Sequence, residues 1–173
     1  MLIWDRLVRL WHWSLVLTVV LNYWVLEGGS DPHNILGYVL FGLLLARLGW
    51  GIWGSNPLAL FKNFVPTPSA IKEHLAEIKS KTVPTTSGHN PIGALMIYFT
   101  LIAIGYLTVT GFLHEEVDHF FGNDFLQDSH KWVSDALIIA AGIHVSGVLI
   151  MQKLTGIPLI KTMLTGKREI PNQ

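Results

Sequence analysis

Residues 130–144 read HKWVSDALIIAAGIH, and the rest of the chain is understood outward from them. His130 and His144 stand 14 residues apart in a mostly apolar run. That spacing is nearly four whole helical turns, so both imidazoles leave a helix on almost the same face, ~21 Å apart along its axis. A run of this length can cross a bilayer. A helix with an imidazole near each end, both facing one way, can serve one metal cofactor near each membrane surface, provided other helices offer partners at matching depths.

Composition agrees with a membrane setting. The chain has 173 residues, is 50% hydrophobic and only 14% charged, and contains seven Trp. A soluble domain carries roughly 25% charged residues, and Trp gathers at membrane interfaces. The length suits one compact domain. Net charge is zero, so no basic field exists to attract nucleic acid. Cysteine is absent, which excludes disulfides, thiolate metal sites, iron–sulfur clusters and covalently attached c-type haem.

Hydropathy predicts an all-α membrane protein, a bundle of four transmembrane helices over about 10–26, 33–54, 91–113 and 130–152. Residues 10–26 hold no Asp, Glu, Lys or Arg and carry Trp11, Trp13, Tyr23 and Trp24 near their ends. The bulky aromatics and the lack of a small-residue cleavage pattern argue for a retained helix over a signal peptide. The connection 55–90 contains PSAIKEHLAEIKSK, whose spacing of Ile71, Leu75 and Ile78 predicts a short surface helix with Ser69 as its cap. GHNP at 88–91 predicts a helix start with Asn90 as N-cap and Pro91 as first residue. The tail 153–173 is expected to hold a short interfacial helix near Leu159 to Leu164.

Lys and Arg number two in the lead, four in the 55–90 connection and four in the tail, and none in 27–32 or 114–129. The positive-inside rule therefore places both termini and the long connection in the cytoplasm. In that frame His12 and His144 lie at the inner side, His33 and His130 at the outer side. Two pairs follow, His12 with His144 and His33 with His130. Paired imidazoles from facing helices are what a low-spin b-type haem requires, and filling both axial positions leaves the iron to shuttle one electron. Small residues nearby (Gly37, Gly142, Ser146, Gly147) allow flat rings to approach the backbone. Any one of these histidines alone could be a packing residue; four at two matched depths point to cofactor ligation. A bare-metal transporter could also use His pairs, but it would want carboxylates along its path, and only Asp135 lies within the spans. Asp135 is expected to orient a neighbouring group or to pair with Lys131.

Arg47 follows His33 by 14 residues, so it shares that face near the opposite leaflet. Two roles fit it equally: partner of a haem propionate, or a side chain snorkelling to the surface. Arg9, one turn before His12, is a similar candidate. His89 either hydrogen-bonds a propionate or helps start its helix. His114 and His119, in the acidic segment, are the rivals of His33 and His130 as outer ligands. His74 is expected to have no special role.

The stretches WDRLVRLWHWS, HNILGYVLFGLLLARLGWG and GHNPIGALM, with the paired histidines of the fourth helix, resemble the prokaryotic cytochrome b561 family. That family includes the b-type cytochrome subunits of membrane-bound nickel–iron hydrogenases. The resemblance implies two non-covalent haems b, one ligated by His12 and His144, the other by His33 and His130. It also implies electron exchange between the quinone/quinol pool of a bacterial inner membrane and a periplasmic redox partner, such as a c-type cytochrome or a hydrogenase subunit. Quinone or cytochrome c oxidoreductase activity and a homodimer are compatible with it. Rival readings are a non-redox membrane metal transporter or anchor subunit, and a haem enzyme that oxidises superoxide. The five carboxylates Glu115, Glu116, Asp118, Asp124 and Asp128 could dock a basic cytochrome c.

Overall fold

The computed structural model describes residues 2–80 and 90–168. These form six α-helices: α1 Arg6–Trp24, α2 Asp31–Trp53, α3 Pro68–Ser80, α4 Pro91–Glu116, α5 Asp124–Thr155 and α6 Leu159–Thr165. Short 3-10 turns occupy Pro57–Ala59, Phe61–Asn63 and Asp118–Phe120.

Local capping sets the ends of the long helices. The Asp5 carboxylate accepts from the Val8 amide at 2.8 Å, so α1 starts before the apolar run does. The same carboxylate accepts from the Trp50 indole at 3.1 Å, tying the start of α1 to the end of α2. Ser30 caps α2, with Pro32 in the first turn, and Asn90 caps α4, with Pro91 as its first residue. Asn123 caps α5 by accepting from the Leu126 amide at 2.9 Å. That helix therefore begins at Asp124 rather than at His130, and stops at Gly156, whose φ of 70° is the left-handed conformation a glycine cap supplies. The surface helix α3 is capped by Thr67, whose hydroxyl accepts from the Ala70 amide; Ser69, the expected cap, instead shares a hydrogen bond with Thr67.

The helices α2, α4 and α5 are each long and apolar enough to cross a membrane. Helix α1 has 19 residues but is less apolar, because Arg6, Arg9, His12 and Asn22 lie within it. Only 6% of the apolar stretch of α5 is buried inside the chain, and 22% of those of α2 and α4. The remaining apolar surface is suited to lipid rather than water, as expected of a multi-pass membrane protein.

Packing runs α1 against α2, α2 against α4 and α4 against α5. The shared core is Leu15 of α1, Leu40 and Leu44 of α2, Leu101, Ala103, Ile104 and Leu107 of α4, and Leu137 of α5. Helix α4 supplies the largest part and acts as the spine. Among the described residues, α1 and α5 do not pack closely on each other. They meet through side chains, as where the Tyr23 hydroxyl donates to Asp135 at 2.7 Å.

The start of the 55–90 connection is not a loose polar loop. Ala59 is fully buried, and the Phe61 ring lies so close to Gly51 that a Cβ there would strike it. We expect Gly51→Ala to lower stability by about 1–3 kcal/mol through overpacking, read as a lower midpoint of thermal unfolding in detergent. A midpoint equal to that of the parent protein would show that Phe61 moves aside freely. Below this layer the lead and the tail join. Leu2 bridges Lys167, and the Gly166 carbonyl accepts from the Ile3 and Trp4 amides at 2.8 and 3.2 Å. Ile3, Trp4, Val8 and Ala59 form a second small core there with Trp50, Leu58 and Met163. His89 lies outside the described residues.

Candidate cofactor site

His33 leaves the first turn of α2, where Ser30 caps the helix. His130 leaves α5 about two turns after its start. The structure brings these two rings together, with centres 6.4 Å apart and planes inclined by 55°. A metal held between two imidazoles needs two bonds of about 2 Å plus ~1 Å from each nitrogen to its ring centre, or roughly 6 Å in all. The observed separation matches that of two axial ligands on opposite faces of one flat ring. Direct hydrogen bonding or stacking of the two imidazoles would bring them closer.

Both rings are partly buried. His33 Nδ1 is buried and has no hydrogen-bond partner among the described residues. His130 Nδ1 lies 2.8 Å from the Thr110 hydroxyl of α4. A crevice of about 320 Å³ between α2 and α4 is lined by Asn34, Gly37, Tyr38, Phe112 and Glu115, and by Gly111, where an added Cβ would meet the His130 ring at 3.5 Å. Its polar rim is held by Tyr38, which donates to Glu116 at 2.6 Å, and by Asn34, which reaches Glu115 at 3.4 Å.

At the other end of the bundle, His12 of α1 and His144 of α5 are half-buried. The Tyr23–Asp135 contact between α1 and α5 places His12, about three turns before Tyr23, and His144, about two and a half turns after Asp135, toward the same end of the bundle. Gly37 follows His33 by one turn and Gly147 follows His144 by one turn, on the same faces. A Cβ added at either glycine would meet nothing within 4 Å. Beside one member of each pair the helix surface therefore leaves open space where a side chain would otherwise stand.

The remaining candidates fall in different places. Arg47 is 2% exposed, so it does not snorkel. One terminal nitrogen donates to the Ala59 carbonyl at 3.1 Å. The guanidinium lies 4.6 Å from the Phe61 ring centre and 5.8 Å from that of Trp11. Its other terminal nitrogen is buried without a partner among the described residues. Arg9 donates to the Leu164 carbonyl at 2.6 Å, bracing the tail, while its Nε is buried without a partner among the described residues. Asp135 accepts from Tyr23. His114 pairs with Glu115 at 3.3 Å and lies within electrostatic reach of His130. His119 stacks edge-on against Phe120. His74 is buried, with Nδ1 3.2 Å from Glu77.

Two imidazole pairs at opposite ends of a membrane bundle, with open helix surface beside them, fit a cofactor that brings its own equatorial ligands. Among the described residues no three His, Asp or Glu side chains gather as a bare ion would require; a haem needs only two. The model of the family described as prokaryotic cytochrome b561 matches residues 3–166. The chain belongs to that family. No curated protein and no solved structure matches it. This cytochrome b561 family member is thus a multi-pass redox protein of the bacterial inner membrane with a general role in electron transfer, and the family name implies b-type haem.

Several side chains around the rings escape a reading of the sequence alone. Thr110 is one. Its signal is a hydroxyl in a span without charge, which in a membrane helix must find a partner. Phe61 and Ala59 are others, because a proline-broken connection gives no pattern that places it under a particular arginine. Tyr23 reads as an interfacial aromatic, and only the fold shows Asp135 opposite its hydroxyl.

Proposed function

We propose that this chain holds two non-covalent haems b and carries electrons across the bacterial inner membrane, between quinone or quinol in the bilayer and a periplasmic partner. A c-type cytochrome or a hydrogenase subunit fits that partner. The observation that supports this reading is the His33–His130 pair, whose ring centres, 6.4 Å apart, leave room for one metal ion to be held between them. His12 and His144 form the second ligand pair. The topology in this reading has four spans, α1, α2, α4 and α5, with both termini in the cytoplasm, supported by the placement of Lys and Arg.

Bound haem supplies one-electron chemistry at iron. The protein does the rest. His33 with His130, and His12 with His144, would hold the two groups, and with two imidazoles bound to each, oxygen would find no open site. The apolar faces of α4 and α5 would keep water away from them. Arg47, buried and with one nitrogen that has no partner among the described residues, is suited to a propionate carboxylate at the inner side. Arg9 has a buried Nε without a partner among the described residues at the same end, and His89 is a third donor for that side. The carboxylates of 114–129 offer a basic cytochrome c a salt-sensitive landing surface.

A reduced-minus-oxidised spectrum of the purified protein tests this directly, with haem counted as the pyridine complex. We expect a b-type band and two haems per chain. A protein that carries no haem b when expressed in a haem-replete host refutes the reading. Stopped-flow oxidation of the reduced protein by quinone, cytochrome c and superoxide then separates the partners.

A further inference from the structure

We propose that Thr110 is a positioning residue for the outer cofactor site: it holds the proton of His130 on Nδ1 and so presents Nε2 as a lone pair. The consequence for haem rests on the function proposed above; the proton assignment does not.

The assignment follows from counting hydrogens. The Thr110 hydroxyl lies 2.8 Å from the Tyr106 carbonyl and 3.3 Å from that of Leu107. It also lies 2.8 Å from His130 Nδ1. A hydroxyl has one proton and two lone pairs, and a carbonyl can only accept. The proton is therefore committed to the backbone of α4, and the hydroxyl must accept from His130. A neutral imidazole has a single N–H, so that proton sits on Nδ1 and Nε2 is bare. The opposite arrangement would set the hydroxyl lone pairs against two carbonyls and leave Nε2 protonated, unable to bind a metal.

Burial makes the arrangement stable. Thr110 is 4% exposed, so no bulk water competes for its oxygen. The bond back to residue 106 fixes its χ1, a habit of Thr in apolar helices. Ser129, the residue before His130, is buried as well, which limits movement of α5 at this point. His33 has no equivalent, since its Nδ1 is without a partner among the described residues. The two rings of the pair are thus unequal: His130 Nδ1 is held by Thr110 of α4, while His33 Nδ1 has no hydrogen-bond partner among the described residues. Donation from Nδ1 to an acceptor also raises the basicity of Nε2, which favours the oxidised metal.

The test compares Thr110→Val, which keeps the shape and removes the acceptor, with Thr110→Ser, which keeps the acceptor. 15N NMR of the full histidine-labelled chain, with His130 assigned against a His130→Ala variant, reads the tautomer whether or not haem is bound. We expect His130 protonated at Nδ1 in the parent and in Thr110→Ser. In the haem-loaded protein we expect Thr110→Val to weaken retention of one haem by about 10-fold or more and to raise its midpoint potential. The second haem and the Ser variant should match the parent. A parent protein with the proton on Nε2 overturns the proposal, as does a Val variant with unchanged retention and potential. Equal changes in Ser and Val would also overturn it, by assigning the effect to packing. A haem-free protein with His130 protonated at Nδ1 would refute the proposed function and leave Thr110 in its role.

Discussion

Replacing His144 with alanine should remove one haem from the chain and leave the other in place. In the proposed pairing His144 is the partner of His12, and His130 stands ~21 Å away along the same helix, too far to substitute for it. In the proposed site, loss of His144 would leave the haem with His12 alone, between helices that do not pack closely. The His33–His130 pair uses different side chains and the other end of α5, so its haem should remain low-spin. Haem content per chain and the low-spin EPR signal provide the measurement, with a fall from two haems to one expected. Loss of both, or of neither, would refute the pairing of His12 with His144. His33→Ala should give the complementary result; an unchanged count there would pass the ligand role to His114 or His119.

Arg47→Ala should be the most damaging change away from the histidines. Arg47 is buried to 98%, being 2% exposed, and pins the Pro57–Ala59 turn onto α2 through the Ala59 carbonyl. Its guanidinium also covers the Phe61 ring. Truncation leaves a cavity and an unpaired buried carbonyl, together costing about 3 kcal/mol. Arg47→Lys should recover only part of this, because an ammonium cannot lie flat on an aromatic face and bond sideways at once. Thermal unfolding in detergent, read for all three proteins, should rank them Arg, Lys, Ala. An Ala variant as stable as the parent would mean that the turn holds itself in place.

The helices are legible because apolar length and capping residues are local signals. Asn90 with Pro91, and Ser30 with Pro32, mark starts that any reader of the chain can find. The start of α5 is harder. Residues 124–129 are polar outside an apolar span and read as loop, yet Asn123 followed by Asp124 is a cap with an acidic first turn. At the candidate site, the shared face of His130 and His144 follows from helical period alone. What the period cannot give is the partner across the interface. The Thr110 hydroxyl faces His130 because of how α4 crosses α5, and 20 residues of sequence separate them. Arg47 shows the same limit: its place in the helix is readable, but whether it snorkels or is buried depends on where Phe61 folds back.

The clasp between residues 2–4 and Gly166 has a bearing on the order of assembly. The proposed inner pair has one member on α1 and the other on α5, and the start of α1 is fastened to the tail only when α6 has brought Gly166 to Ile3 and Trp4. While the chain emerges from the ribosome, α1, α2 and α4 can assemble around their shared leucines, but half of each ligand pair is still unmade. His12 and His33 thus wait, unpartnered, for one late helix that completes both sites together. A chain interrupted before α5 would enter the membrane with neither site, not with one.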